Sequence, residues 1–290
     1  MALEEVYKGK SIDEVVELLG EYDKEAKIIA GGTDIVIDLR NEKIDPKVLI
    51  DISSIEELKT IKDEGEYMEI GAGVSFTQVV ESPLFDGNLC GLKKACHMVG
   101  SPQIRNKGTL GGNIANGSPA ADSIPPLICL NSTLILKSVR GTREIGLEDY
   151  YKDEDAKIKA DELLVGIRFK KPKDGQVLSF SKLGLRKALA ISRLSIATLL
   201  ELDDEGKVKT IEVASGSLGK YPMRESELEQ FLTGKKLDEA TIDEGILVLQ
   251  EAMEKRLAGR STFPYKREAV DSMLKEALKE AMEYLNEVRL

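Results

Sequence analysis

Residues 105–123 hold the feature that most constrains this chain, a dense cluster of glycines in a polar segment. Gly108, Gly111, Gly112 and Gly117 fall within ten residues, and glycine lets a backbone approach a ligand closely because it has no side chain. Short hydrogen-bonding side chains alternate with them: Thr109, Asn113, Asn116, Ser118 and Asp122. A loop of this kind offers N–H groups, hydroxyls and amides to phosphate and sugar oxygens. The segment therefore predicts a nucleotide-binding loop, although a series of tight turns between strands would use the same residue types.

A second glycine turn strengthens this prediction. The apolar run Lys27-Ile-Ile-Ala30 predicts a strand, Gly31-Gly-Thr-Asp34 follows it, and residues 35–40 can form a helix. In that order, successive N–H groups and the positive end of a helix face an anion. Two such turns suit a long ligand with a central pyrophosphate, so FAD is the natural candidate. The chain has no Gly-x-x-x-x-Gly-Lys-Ser/Thr loop, which gives ATP-driven chemistry little support.

Composition excludes several other functions. The net charge of −10 argues against a nucleic-acid or anionic-membrane surface. No apolar run is long enough to span a bilayer, and the N-terminus lacks a basic region followed by an apolar one, so a cytoplasmic protein is expected. The three cysteines include no Cys-x-x-Cys pair, and His97 is the only histidine. An iron–sulfur cluster, a zinc site or a Ser-His-Asp triad on this chain is therefore disfavoured.

Hydrophobic periodicity predicts an α+β chain of three parts. A capped helix over 11–22 and strands near 27–30 and 48–50 form a βαβ-type subdomain at residues 1–55, and a second subdomain covers 56–172. The Gly71-Ala-Gly73 turn ends a strand at 67–71, and it does not continue as a dinucleotide-binding fingerprint. A linker near 170–175 leads to a domain of antiparallel strands and helices at 173–290. Its predicted helices lie at 224–232, 238–256 and 266–287.

Three stretches together resemble a known family: Ile28-Ile-Ala-Gly-Gly-Thr-Asp-Ile35, Ile70-Gly-Ala-Gly73, and Arg105-Asn-Lys-Gly-Thr-Leu-Gly-Gly-Asn-Ile-Ala-Asn-Gly-Ser-Pro-Ala-Ala-Asp122. They are similar to the FAD-binding (medium) subunit of the molybdenum hydroxylases, the group of xanthine, carbon monoxide and nicotinate dehydrogenases. The resemblance continues through Glu162-Leu-Leu-Val-Gly-Ile167, Phe180-Ser-Lys182 and Tyr265-Lys-Arg267.

The resemblance implies a vanillyl-alcohol-oxidase-like (PCMH-type) FAD-binding domain of two subdomains, followed by the C-terminal domain. It also implies noncovalent FAD, and no histidine lies in either glycine motif to form a covalent bond. The implied cofactor-binding residues are Ile28, Ile29, Ala30, Gly31, Gly32, Thr33, Asp34, Ile35, Thr109, Leu110, Gly111, Gly112, Asn113, Asn116, Asp122, Leu164, Lys182 and Ile191. Residues 28–35 and 109–113 would wrap the pyrophosphate, and Ile191 would lie beside the flavin ring. Without the family, Lys182 could be a solvated strand lysine and Asp122 a helix cap.

The function implied by the resemblance is electron transfer within a hetero-oligomer. Electrons would come from a molybdenum-cofactor subunit, cross an iron–sulfur subunit, reach FAD on this chain and pass to NAD+ or another acceptor. Molybdopterin and iron–sulfur clusters would lie only on those partners. The alternatives are a stand-alone FAD oxidoreductase, for which His97 would be the obvious histidine base, and a non-catalytic FAD-binding or assembly protein.

Overall fold

The computed structural model describes residues 3–186 and 189–288. The chain forms two compact units, each built from separate segments. The first contains Met1–Val79, Ser101–Gly117 and Ser132–Lys170, and the second contains Val80–Gly100, Ser118–Asn131 and Lys171–Leu290. The division of the sequence at residues 55 and 172 stays a prediction.

The regular elements follow in chain order. The strands are β1 (Glu5–Lys8), β2 (Ala26–Ile29), β3 (Val48–Asp51), β4 (Ile61–Asp63), β5 (Tyr67–Gly71), β6 (Thr133–Ser138), β7 (Gly141–Gly146), β8 (Leu163–Lys170), β9 (Gln176–Gly184), β10 (Ser192–Leu202), β11 (Val208–Gly216) and β12 (Met223–Arg224). The helices are α1 (Ile12–Tyr22), α2 (Ile35–Arg40), α3 (Phe76–Glu81), α4 (Cys90–His97), α5 (Pro102–Lys107), α6 (Leu110–Asn116), α7 (Ile124–Cys129), α8 (Leu147–Lys152), α9 (Ser226–Leu232), α10 (Glu239–Leu257) and α11 (Phe263–Val288).

The first unit begins with a parallel sheet in the order β1-β3-β2. Helix α1 packs on it through buried Val15, Val16 and Leu19. The Ser11 hydroxyl accepts a hydrogen bond from the Glu14 amide at 3.2 Å, which confirms the predicted cap. The βαβ-type arrangement is confirmed. Strand β1 was missed because it is short, and only its Tyr7 is even half-buried, so it has no clear apolar pattern.

A second sheet of the first unit is antiparallel, in the order β4-β5-β8-β6-β7. Gly71 ends β5, and a Cβ built on it would lie 2.2 Å from the Leu58 carbonyl oxygen. The Gly73 amide donates to that same oxygen at 2.8 Å. Both glycines thus serve a strand-end turn, as predicted.

The second unit contains the antiparallel sheet β12-β11-β10-β9. Helix α11 packs on β9, where the Ser179 hydroxyl donates to the Ala277 carbonyl at 2.8 Å and the Ser181 hydroxyl to the Met273 carbonyl at 2.7 Å. Helices α9, α10 and α11 bury their apolar faces in the core of this unit. The three predicted C-terminal helices and the antiparallel strands are confirmed. In the part of the chain that the structure describes, no helix has the length and apolar character needed to cross a membrane.

Candidate functional site

The first glycine segment connects β2 to α2 in the first unit. Gly32 has a φ of +73°, a left-handed conformation that glycine adopts at little cost. Among the described residues, the amides of residues 31–34 have no hydrogen-bond acceptor, whereas the neighbouring Val36 and Ile37 amides donate to Gly32 and Asp34 carbonyls. Segment 31–34 therefore presents a row of unused N–H donors.

The second glycine segment is mostly helical, so the predicted loop is wrong. Helix α5 ends at Lys107, and α6 begins at Leu110 with Thr109 as its cap. The Thr109 hydroxyl accepts from the Gly112 amide at 3.0 Å. Gly117 ends the helix in the left-handed conformation, with a φ of 63°. The glycines suggested a loop, but they serve close packing and the end of this helix. They do not prevent a short helix from forming at residues 110–116.

The backbone amides of this second segment already have partners in the protein. Leu110 donates to the Val74 carbonyl, Gly111 to the Ala72 carbonyl and Asn113 to the Thr109 carbonyl, each at 2.9 Å. The expectation that residues 109–113 offer a row of free amides to a ligand is therefore wrong for residues 110–113. What this segment offers instead is a helix start without side chains at Gly111 and Gly112.

The two glycine segments meet backbone to backbone within the first unit. A Cβ built on Gly31 would lie 1.8 Å from the Lys107 carbonyl oxygen, and one built on Gly111 would lie 2.6 Å from the Ala72 oxygen. Real Cβ atoms do not approach other atoms so closely. Only glycine fits at both positions, because Gly31 packs against the second glycine segment at Lys107 and Gly111 packs against Ala72 in the turn after β5.

A cavity of about 340 Å³ lies where the segments meet. The predicted site residues that line it are Ile28, Ala30, Gly31, Gly32, Thr33, Asp34, Ile35, Thr109, Gly111, Gly112, Asn113, Asn116 and Leu164. Ile29 and Leu110 do not line it. Ile29 follows Ile28 on β2, and successive side chains of a strand point to opposite faces, while Leu110 is fully buried.

The implied cofactor-binding residues left out others that line this cavity, although Gly108 belonged to the predicted nucleotide-binding loop. They are Lys27, Asp38, Ile44, Ile52, Ala72, Phe76, Gly108, Ala115, Ile158, Glu162 and Leu163. Most are apolar residues from separate segments, and no local pattern marks them as one wall. Glu162 carried a signal, since a carboxylate directly before an apolar strand needs a partner if it is buried.

The predicted residues Asp122 and Lys182 form a buried ion pair in the second unit. Lys182 Nζ donates to Asp122 Oδ2 at 2.5 Å and to the Met98 carbonyl at 2.9 Å. The side chains of Lys182 and Asp122 are only 4% and 7% exposed, so the solvated-lysine alternative is wrong. Helix α7 has Ser123 at its cap position and no side-chain cap hydrogen bond, so Asp122 does not cap it.

Asp122 keeps one carboxylate oxygen unused. Among the described residues, its Oδ1 is buried without a hydrogen-bond partner. The nearby Ser192 hydroxyl donates to the Leu194 carbonyl at 3.0 Å. Burial raises the pKa of Asp122 to about 6, although the Lys182 ammonium opposes the shift. A buried acceptor of this kind suits a ligand that donates a hydrogen bond.

Ile191 is the last predicted residue, directly before β10 in the second unit. It is 82% exposed, so its side chain is accessible to a ligand. His97 borders a different cavity of about 410 Å³ in this unit, together with Met98 and Lys182.

Comparison with known proteins identifies the family of this chain. A family model described as the FAD binding domain in molybdopterin dehydrogenase matches residues 2–172. A second, described as the CO dehydrogenase flavoprotein C-terminal domain, matches residues 179–281. The nicotinate dehydrogenase FAD-subunit of Eubacterium barkeri is 34% identical over 97% of each chain. The carbon monoxide dehydrogenase medium chain of Afipia carboxidovorans is 28% identical over 95% of each.

Solved structures agree with these sequence matches. A chain of the carbon monoxide dehydrogenase from Hydrogenophaga pseudoflava, in a form lacking the Mo-pyranopterin moiety of its cofactor, superposes with a TM-score of 0.89. It is 27% identical, and the match covers 97% of this chain and 98% of that one.

Proposed function

Because the chain belongs to the family of FAD-binding subunits of molybdopterin dehydrogenases, we propose that it carries FAD as the electron-transfer subunit of a molybdenum hydroxylase or dehydrogenase complex. Electrons would arrive from iron–sulfur centres on one partner, which receives them from a molybdenum-cofactor subunit on another. They would leave this chain for NAD+ or a different acceptor. The protein would act in the cytoplasm.

The observation that carries the proposal is the cavity between the two glycine segments. Segment 31–34 supplies unused amides, which suit the oxygens of a diphosphate. Thr109, Asn113 and Asn116 border the same cavity and carry side chains that can hydrogen-bond to sugar or ribityl hydroxyls. The unused amides and these polar side chains therefore fit the central part of FAD.

When bound, FAD supplies the capacity to take up electrons from one partner and release them to another. The chain's own residues have the simpler task of binding and orienting it. Segment 31–34 would hold the diphosphate, and Leu164 would give an apolar contact. In the second unit, Asp122 Oδ1 would accept a hydrogen bond from the cofactor, Lys182 would hold that carboxylate in place, and Ile191 would cover the flavin ring. No general acid or base on this chain is needed for that role.

Flavin binding by the purified chain tests the first half of the proposal. We expect yellow protein with a flavin absorption spectrum, and saturable binding when FAD is added back to the stripped chain. A Gly112→Val variant should lose binding, because Gly112 lines the cavity and a side chain there would crowd the start of α6. Stripped, folded wild-type protein that ignores added FAD would contradict the proposal.

Electron transfer needs a separate measurement. NADH, or the reduced iron–sulfur partner, should reduce the bound flavin, and the isolated chain should turn over no substrate of the complex. Substrate turnover by the isolated chain would favour a stand-alone oxidoreductase. Bound flavin that neither reductant reduces would favour a protein that only stores FAD or assists assembly.

A further inference from the structure

A buried ion pair borders the cavity of the first unit and has no role in the account so far. Glu162 is 3% exposed and lines the cavity directly before β8. Arg143 on β7 donates to it twice, from Nε to Oε1 and from Nη2 to Oε2, each at 2.8 Å. Such a bidentate pair fixes both the position and the orientation of the carboxylate.

The same pair holds the backbone of residues 156–159. Arg143 Nη2 also donates to the Ala156 carbonyl at 3.2 Å and to the Lys157 carbonyl at 3.0 Å. Glu162 Oε2 accepts from the Lys159 amide at 2.9 Å. Ile158, the residue between these contacts, lines the cavity. Because the ion pair holds the backbone on both sides of Ile158, it also fixes the position of this apolar side chain.

The charge of Glu162 is part of this arrangement. Burial alone would raise the pKa of Glu162, but the hydrogen bonds and charge of Arg143, together with the Lys159 amide, hold it below its ordinary value. Arg143 contacts both carboxylate oxygens and the Lys159 amide contacts one of them, so the carboxylate is held firmly to the segment of residues 156–159.

A further set of contacts connects this segment to helix α6. The Lys157 ammonium lies 4.7 Å from the centre of the Tyr150 ring and 4.8 Å from that of Tyr151. The Tyr151 hydroxyl donates to the Ile114 carbonyl in α6 at 2.9 Å. Residues 156–159 are thus linked through Tyr151 to α6, which also contributes residues to the cavity lining.

We infer that Glu162 and Arg143 are positioning residues for the cofactor: they hold Ile158 as an apolar wall against a flat ring attached to the diphosphate. This rests on the proposed function, because the ligand is the FAD proposed above. The ring can be adenine or the flavin, and the experiment distinguishes them.

The test measures dissociation constants of the stripped full-length chain for FAD, and for ADP and FMN as competitors. Glu162→Gln keeps the side-chain size but cannot hold Arg143 as a charged pair, and we expect FAD to bind roughly tenfold more weakly. If the ring is adenine, the binding of ADP weakens in parallel and the binding of FMN does not. If the ring is the flavin, the binding of FMN weakens and the binding of ADP does not. Arg143→Lys should also bind FAD more weakly than the wild type, because an ammonium cannot make the bidentate and carbonyl contacts together.

Glu144→Gln is the matched control. Glu144 is the next residue on β7, and its pair with Arg168 is partly exposed, so its loss should leave all three constants unchanged. Faster hydrogen exchange at residues 156–159 in Glu162→Gln, without ligand, would show that the segment has been released. If this variant does not fold, Ile158→Ala removes the wall but keeps the ion pair, and should weaken FAD binding as well.

Unchanged FAD affinity in folded Glu162→Gln, or in Ile158→Ala, would overturn the inference. Failure of the wild-type chain to bind FAD would be a different result, since it would contradict the proposed function itself.

Discussion

Gly31 lies at a position where even a Cβ atom does not fit. Its missing side chain allows the first glycine segment to touch the Lys107 carbonyl, at a place where a Cβ would lie 1.8 Å from the oxygen. We expect Gly31→Ala to lower the free energy of unfolding by about 3 kcal/mol or more. The atoms nearest to the new Cβ are backbone atoms of Lys107 and Gly108, and this backbone must move. FAD affinity should fall with it.

Urea unfolding checks this prediction. Gly166→Ala is the control in the same unit, since a Cβ there would make an ordinary contact of 3.5 Å with the Ile70 oxygen. Equal stability of the two variants would show that the segments lie farther apart than described.

Asp122 gives a pH dependence whose sign follows from its pKa. The folded value of about 6 lies above the ordinary 3.8, so the folded state binds a proton that the unfolded state has released. The contribution of protonated Asp122 to the stability of the folded state is therefore fully present below about pH 4, and it is lost as the pH rises through about 6. The shift corresponds to about 3 kcal/mol.

Unfolding in urea between about pH 4 and 7 tests this effect. The stability of the wild type minus that of Asp122→Asn should fall by up to about 3 kcal/mol across the range. A difference that rises with pH would mean that the attraction of Lys182 outweighs burial.

At the scale of elements, helix α6 depends on its cap. Thr109→Ala removes the acceptor for the Gly112 amide and should cost about 1 kcal/mol of stability. Thr109→Ser keeps the hydroxyl and should lose little of it. Urea unfolding of the two variants measures the difference, and identical losses would show that the hydroxyl does not cap the helix.

The elements also show what the sequence could and could not predict. The capped helix α1, the turn at Gly71 and Gly73 and the three C-terminal helices were predictable because local residue patterns specify them. Helices α5 and α6 were not, because the glycines that follow α5 and lie within α6 suggested a loop. Gly111 is instead required by its close contact with the distant Ala72 carbonyl, which no local pattern reveals. The unused amides of residues 31–34 were predictable from a strand followed by a glycine pair. The wall at Ile158 was not, because Arg143 and Glu162 build it from residues far apart in the chain.

For the whole molecule, the family assignment covers both units, with separate matches to residues 2–172 and 179–281. Each unit contributes proposed contacts of a different kind. The first supplies backbone donors and an apolar wall, and the second supplies the Asp122 and Lys182 pair and the exposed Ile191.

Hydrogen–deuterium exchange of the full-length chain, with and without FAD, tests the central claim most directly. The account predicts that FAD slows exchange at the amides of residues 31–34, which have no acceptor among the described residues. The amides of residues 110–113 should change little, because they already donate to protein atoms. Exchange at residues 31–34 that is unaltered by saturating FAD would contradict the account.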